Sequence, residues 1–250
     1  MAKSKASSSD PYRADLAFIH DTGFGQLAEA AATELLARLR RAKLTTGTVI
    51  DLGCGSGTLS EKLAAAGYDV VGFDISPDMI ELARKRVPQG TFHCLPLLSA
   101  RLPRAVAVAA IGEVFNYLFD SRHSVAKLPG SFRRVHRALA PGGIFLFDMA
   151  GPGRSGKAGQ VRAFTETSDW ACLYAASEDR SRQILARQIT TYRRQGQTYR
   201  RDHEVHRLRL VPPRPVIQNL REAGFSARSL KRYADFEFPA GWTGFLARKE

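Results

Sequence analysis

Apolar positions along this chain recur in two alternating modes, and their order predicts the fold. Between residues 12 and 42, Leu16 and Ile19, then Leu27, Ala31, Leu35, Leu36 and Leu39, follow the spacing of two helices separated by a turn over 21–25. A short apolar run at Val49, Ile50 and Leu52 reads as a buried strand. It is followed by a helix pattern at Leu59, Leu63 and Ala66 that stops at Gly67, a residue suited to a helix C-terminus. The alternation then repeats. Val70, Val71 and Phe73 form a second strand, and Met79, Ile80, Leu82 and Ala83 a helix with Ser76 as N-cap, Pro77 in the first turn and Asp78 at the positive end of the dipole. A third strand and a loop are expected over 91–103. Ala105 opens a small-apolar central strand, Phe132, Val135 and Leu139 mark a helix that ends at 140–143, and residues 144–150 form a fifth strand. Strands and helices in strict alternation predict an α/β chain with a parallel sheet.

The period changes after residue 150. Residues 151–168 are rich in Gly, Ser and Arg and read as a mobile loop. Three strand-like runs, 169–177, 182–193 and 198–210, are joined by Glu178, Asp179 and Arg180 and by Gln195 and Gly196, as in an antiparallel meander. A helix over 214–223 ends at Gly224, and two strand-like segments, SARSLKRYAD and TGFLARK, close the chain.

The candidate chemistry sits where the first strand ends. TVIDLGCGSG, residues 48–57, carries Asp51 and then glycine at 53, 55 and 57, which lets a loop turn sharply and lie against a ligand. A dinucleotide fingerprint needs glycine at 58, where the chain has Thr58, and a phosphate loop needs a Lys-Ser/Thr pair, where it has Leu59 and Ser60. Asp74 ends the second strand, and an acid there can accept two hydroxyl hydrogen bonds from a ribose. It could serve a nicotinamide dinucleotide equally, were the fingerprint intact.

Asp51, Gly53, Gly55 and Gly57, continued by DISPDMIELAR at 74–84, resemble the first two motifs of class I S-adenosylmethionine-dependent methyltransferases. The resemblance implies a Rossmann-like, doubly wound, mostly parallel seven-stranded sheet with a reversed C-terminal hairpin. The 12–42 helices would then form a lid and the meander a substrate cover. It implies Asp74 on the ribose, Ile75 against the adenine, and Met79 among the cofactor residues. The chain departs from the family where relatives carry a loop acid for the adenine amino group. Leu97, Leu98 and Ser99 stand there, which leaves Leu98 and Ser99 as the candidates. Gly112, Glu113 and Asn116 follow the central strand and are candidates for the methionine part of the cofactor or for substrate. A helix start and a structural hydrogen bond are their other reading. On the lid, Tyr12, His20 and Phe24 are cofactor-cover candidates, or ordinary packing. His20 and Glu113 are the candidate general bases.

The implied reaction is in-line transfer of a methyl group from S-adenosylmethionine to a nitrogen or oxygen of a small-molecule acceptor. A nucleic-acid methyltransferase and a non-catalytic binder of the cofactor are the alternatives. The Asn/Asp-Pro-Pro-aromatic signature of base and amide methylation is absent after the central strand, which disfavours the first of these.

Composition adjusts this picture modestly. With 250 residues, 44% of them apolar, the chain can bury one α/β domain and an addition. It divides into a disordered tail at 1–11, a core with its lid at 12–150 and 212–250, and an insertion at 151–211. The net charge of +13 invites a polyanion, but the arginines are scattered; an anionic small molecule is the milder form of that expectation. Cys54, Cys94 and Cys172 are too few and too far apart for zinc or a disulfide framework and read as packing residues. His203 and His206 lie on opposite faces of a strand, and no metal site is expected. With no apolar run of the roughly 18 residues a membrane span needs and no secretion segment, the expected location is cytoplasmic.

Overall fold

The computed structural model describes residues 11–120 and 124–250, so the tail expected at 1–11 lies, except for Pro11, outside the described residues. Two helices come first, α1 (Ala14–Gly23) and α2 (Gln26–Arg41). Alternation follows: β1 (Thr48–Leu52), α3 (Thr58–Ala65), β2 (Asp69–Asp74), α4 (Pro77–Arg86), β3 (Thr91–Cys94), β4 (Ala105–Ala110), α5 (Leu128–Ala138) and β5 (Leu139–Ala150). Next are β6 (Gln160–Glu166), β7 (Trp170–Asp179), β8 (Ile184–Gln195) and β9 (Thr198–Arg209). The chain ends with α6 (Pro213–Glu222), β10 (Phe225–Leu230), the two-residue strands β11 (Arg232–Tyr233) and β12 (Phe236–Glu237), and β13 (Trp242–Lys249).

Seven strands form one sheet in the order β10-β13-β5-β4-β1-β2-β3, parallel except for β13, which runs against both neighbours. The alternating residues of the central strands separate two cores. Ile50, Val108, Phe145 and Phe147 meet Phe132 and Val135 of α5 and Val216 and Leu220 of α6. Val49, Val70, Ala107 and Leu146 meet Leu35 and Leu39 of α2, Leu63 of α3 and Ile80 of α4. Each of these large side chains, buried in full, contributes about 1.5–3 kcal/mol. Chain order reverses between β1 and β4, so the carboxyl ends of those strands open onto one crevice.

The second sheet runs β6-β7-β8-β9, antiparallel throughout. Residues 160–166, expected within a loop, form its first strand. All seven are exposed, so no buried face marks the strand in the sequence. Likewise β5 starts at Leu139, not 144: residues 139–143 extend along β4 with a register shift between Ala105 and Ala107. The last connection also differs, since β10 stops at Leu230 and β11 and β12 make a small hairpin before β13. Among the cysteines, Cys54 and Cys172 are buried while Cys94 is exposed.

Two joints hold the sheets together. Tyr117 bridges to Leu208, with the Leu118 amide donating to Arg207 O at 2.9 Å. Asn116, fully buried, donates to Ala150 O at 2.8 Å and to Arg209 O at 2.6 Å, and accepts from the Ala150 amide at 2.9 Å. The first helix packs on the second sheet, with Leu16 and Ile19 against Trp170, Cys172 and Ile189. Asn116→Ala takes the side-chain acceptor from the buried Ala150 amide and a donor from Arg209 O, while Ala150 O keeps the Val211 amide, and is expected to lower the unfolding free energy by about 1–3 kcal/mol, read from urea denaturation.

Candidate active site

The glycine loop turns out of β1 through three left-handed residues, Gly53 (φ +69°), Gly55 (+53°) and Gly57 (+85°). The amides of Gly53 and Cys54 donate to Phe73 O at 2.7 and 3.0 Å, which ties the loop to the end of β2. Gly57 serves packing. A Cβ there would sit 3.2 Å from Ala83 Cα of α4, and the residue lies outside the lining of the cleft. At Gly55, by contrast, a Cβ would find nothing closer than Met79 Sδ at 4.0 Å, and at Gly112 (φ +92°) nothing within 4 Å. These two positions leave bare backbone facing open space, the cradle an adenosyl ligand requires.

Asp74 stands beside that cradle. Its carboxylate accepts from the Gly55 amide at 2.9 Å and the Ser76 amide at 2.8 Å, and its remaining lone pairs are available to a ribose. Burial pushes its pKa up, against the backbone donors of Ser76, Gly55 and Ile75. Ser76 caps α4 by accepting from the Met79 amide, while its own hydroxyl donates to Tyr12 O at 2.9 Å, tying the lid to the cofactor helix. Asp51, 2% exposed, accepts from Ser60 Oγ at 2.7 Å; burial raises its pKa to about 7, with that hydrogen bond opposing.

Asp51, Gly53, Gly55 and Asp74 line one cleft together with Ile75, Met79, Leu98 and Gly112. Leu97 and Leu98 are fixed by Arg134, whose guanidinium donates to both carbonyls at 2.7 Å. Ser99 is exposed and outside the lining, so the wall where relatives carry an acid is apolar here.

Glu113 and Asn116 are not brought to the cleft. Glu113, 2% exposed, accepts from Arg154 Nε at 2.6 Å on one oxygen and from Arg187 on the other. Burial would raise its pKa, but Arg187 and Arg154 overcome this and hold it below the usual value, so it has neither the position nor the basicity of a general base. Its backbone still shapes the cleft. Asp148 accepts from the Gly112 amide at 3.0 Å, the Glu113 amide at 2.7 Å and Trp242 Nε1 at 2.8 Å, which holds the left-handed pair Gly112–Glu113 in place.

The lid residues Tyr12, His20 and Phe24 all reach the cleft. They meet Tyr117, Phe119 and Asp120, which the sequence reasoning did not select. The run NYLFD directly after a central strand, three aromatic or acidic residues in five, was the available signal. Ring centroids lie 5.4 Å apart for Tyr12–His20, 6.4 Å for Tyr12–Phe119 and 4.7 Å for the stacked Tyr117–Phe119 pair. The Tyr12 and Tyr117 hydroxyls are 2.9 Å apart, and Arg187 donates to Tyr117 at 3.2 Å.

Tyr12 holds a left-handed φ of +51° because Glu204 of β9 fixes it. That carboxylate accepts the amides of Tyr12 and Arg13 at 2.8 Å each and also meets His206 Nε2 at 2.8 Å. Arg13 forks onto Asp202 at 2.7 and 3.0 Å.

Comparison with known proteins follows the same lines. A family model described as a methyltransferase domain matches residues 24–230. The chain is 26% identical over 204 residues to a putative methyltransferase, YqeM, of Bacillus subtilis, covering 76% of this chain and 77% of that one. It is 28% identical over 141 residues to the dTDP-3-amino-3,4,6-trideoxy-alpha-D-glucopyranose N,N-dimethyltransferase of Streptomyces venezuelae, 55% of this chain and 58% of that one. The sugar N-methyltransferase KedS8 from Streptoalloteichus shares the fold with a TM-score of 0.77 at 19% identity, covering 100% of this chain and 99% of that one.

Burial, reinforced by nearby His206 and opposed by Asp21, lowers the His20 pKa from 6.5 to about 4. The ring is therefore expected to stay neutral through pH 5, with an NMR titration midpoint near 4. The unfolded ring takes up a proton that the folded one refuses, so this residue's contribution to stability falls as pH drops from 6.5 toward 4.

Proposed function

The chain belongs to the methyltransferase-domain family and is an S-adenosylmethionine-dependent methyltransferase, and from that premise we propose that its acceptor is a nitrogen of a small-molecule amine. One observation carries the choice. The described lining of the cleft joins six aromatic rings (Tyr12, His20, Phe24, Phe73, Tyr117 and Phe119) and contains no Lys or Arg. Aromatic faces attract an ammonium or a developing cationic nitrogen. Among the described residues an anionic acceptor would find no counter-charge in that lining, and three arginines of the second sheet are paired elsewhere: Arg187 with Glu113, and Arg193 and Arg200 with Asp15. The Streptomyces venezuelae relative, named for dimethylation of an amino-sugar nucleotide, and the sugar N-methyltransferase of the same fold support this reading.

S-adenosylmethionine, when bound, supplies a methyl group on a sulfonium that is already an activated leaving group. What remains for the chain is binding, alignment and exclusion of water, effects worth about 7–11 kcal/mol when orientation is ideal. Asp74 accepts the two ribose hydroxyls, Gly55 admits the nucleoside against bare backbone, and Ile75 and Leu98 flank the adenine. Tyr12 and Phe24 close the lid side, and the Tyr12–Tyr117 hydroxyl pair orients the acceptor. His20, neutral above about pH 4, adds no charge to repel an incoming ammonium, which loses its proton to water before the free amine attacks the methyl group.

Asp74→Ala removes two hydrogen bonds to a charged acceptor and is expected to weaken S-adenosylmethionine binding about 100-fold by calorimetry. Wild-type affinity in that variant would contradict the assigned site. With labelled methyl donor, amino sugars and their sugar nucleotides are expected to be labelled on nitrogen, and their hydroxyl analogues not. Product carrying label on oxygen alone would overturn the amine reading.

A further inference from the structure

The second sheet has two edges, and they differ. At β9 the outer edge is covered in part by Tyr117 and Leu118. At β6 the described residues place no strand, so Gln160–Glu166 presents an open edge with every side chain exposed. Open edges of this length pair readily with another chain, and soluble proteins usually blunt them. Neither proline nor lysine protects this one.

Its backbone pattern decides which groups are free. Thr167 N donates to Trp170 O at 2.8 Å and Glu178 N to Gly159 O at 2.9 Å, which makes the odd-numbered residues the ones hydrogen-bonded to β7. The amides and carbonyls of Arg162, Phe164 and Glu166 therefore face outward. Their side chains share one face with Leu173, the cross-strand partner of Phe164; Phe164 is 68% exposed and Leu173 46%. Among the described residues, neither Arg162 nor Glu166 forms an ion pair.

We propose that a second copy of this chain docks along β6, antiparallel and with its two-fold axis at Phe164, to join two four-stranded sheets into one of eight strands. This goes beyond the methyl-transfer reading and does not depend on it. In that register Phe164 faces the second copy's Phe164, and Arg162 and Glu166 each face the opposite charge of the second copy. The outward amides and carbonyls of all three residues meet in regular ladder pairs. Leu173, Phe164 and their counterparts form one continuous apolar stripe between two ion pairs. Moving the axis to residue 162 or 166 sets Arg162 against Arg162 or Glu166 against Glu166, and an axis at 163 or 165 sets Phe164 against a charge. Among the registers that satisfy these outward hydrogen bonds, the one centred on Phe164 also sets each charge against its opposite and ring against ring.

Sedimentation velocity of the full chain over a concentration series tests this. The wild type is expected to form a dimer. Arg162→Glu and Glu166→Arg each put like charges opposite one another twice and are expected to weaken dimerisation about tenfold or more, while the double exchange restores it. These side chains are exposed, and far-UV circular dichroism checks that the fold is kept. As a measure on the wild type itself, the amides of Arg162, Phe164 and Glu166 should gain hydrogen-exchange protection with rising concentration. A wild type that stays monomeric overturns the proposal. So does a dimer that none of the variants weakens, or one whose edge amides stay unprotected, and a double exchange that fails to recover the dimer overturns the register.

Discussion

A single buried carboxylate, Glu113, receives guanidinium groups from two directions, and the shape of the cleft depends on it. Arg187 comes from β8 of the second sheet and Arg154 from the segment after β5, while Glu113 itself follows the central strand β4. Such a triad is costly to desolvate, and removing one partner leaves charge buried alone, typically a loss of 3–5 kcal/mol. Its value is geometric. It draws the second sheet against the carboxyl end of the core sheet, and Arg187 extends the network through Tyr117 to Tyr12 at the cleft. Arg154 also lies over the Trp242 ring at 4.4 Å, next to the donor that Asp148 uses, so the two acidic nodes share one neighbourhood.

The first helix and the second sheet are fastened to each other by the same kind of contact. The first helix is bound to the second sheet through Glu204 and Asp202 at its start, through Asp15 to Arg193 and Arg200, and through an apolar seam around Trp170. Its ties to the core sheet are fewer: Ser76 Oγ to Tyr12 O, and Arg86 to Asp21 at 2.7 Å. Three of the arginines behind the +13 charge, Arg13, Arg193 and Arg200, thus fasten the second sheet to the first helix and the residues before it. Net charge summed over a sequence cannot distinguish paired from solvated charge.

The chain's local chemistry made much of the core legible. Strands buried on both faces, helices with caps such as Ser76–Pro77, and glycine at 53, 55 and 57 each carry their conformation in a few adjacent residues, so β1 through α4 and the ribose-side acid Asp74 stand out from sequence alone. The same locality explains the misses. In β6 no residue is buried, and a strand without a hidden face has no periodicity to detect. Glu113 and Asn116 occupy polar positions at the end of a central strand, where a ligand contact and a structural contact look alike. What separated them was Arg187, 74 residues further on, and Arg209, 93 residues further on.

TVIDLGCGSG and the acid at the end of β2 by themselves determined a strand, a glycine turn and a helix start, because these are short-range choices made by neighbouring residues, and their resemblance to a family supplied the ligand. Only the tertiary structure decided which other side chains line the cleft. It turned Glu113 and Asn116 inward to hold the second sheet, and it brought Tyr12, His20, Tyr117 and Phe119 together from distant segments. Such convergence depends on how separately specified elements pack, and burial and long-range ion pairing act on positions that leave no mark along the chain.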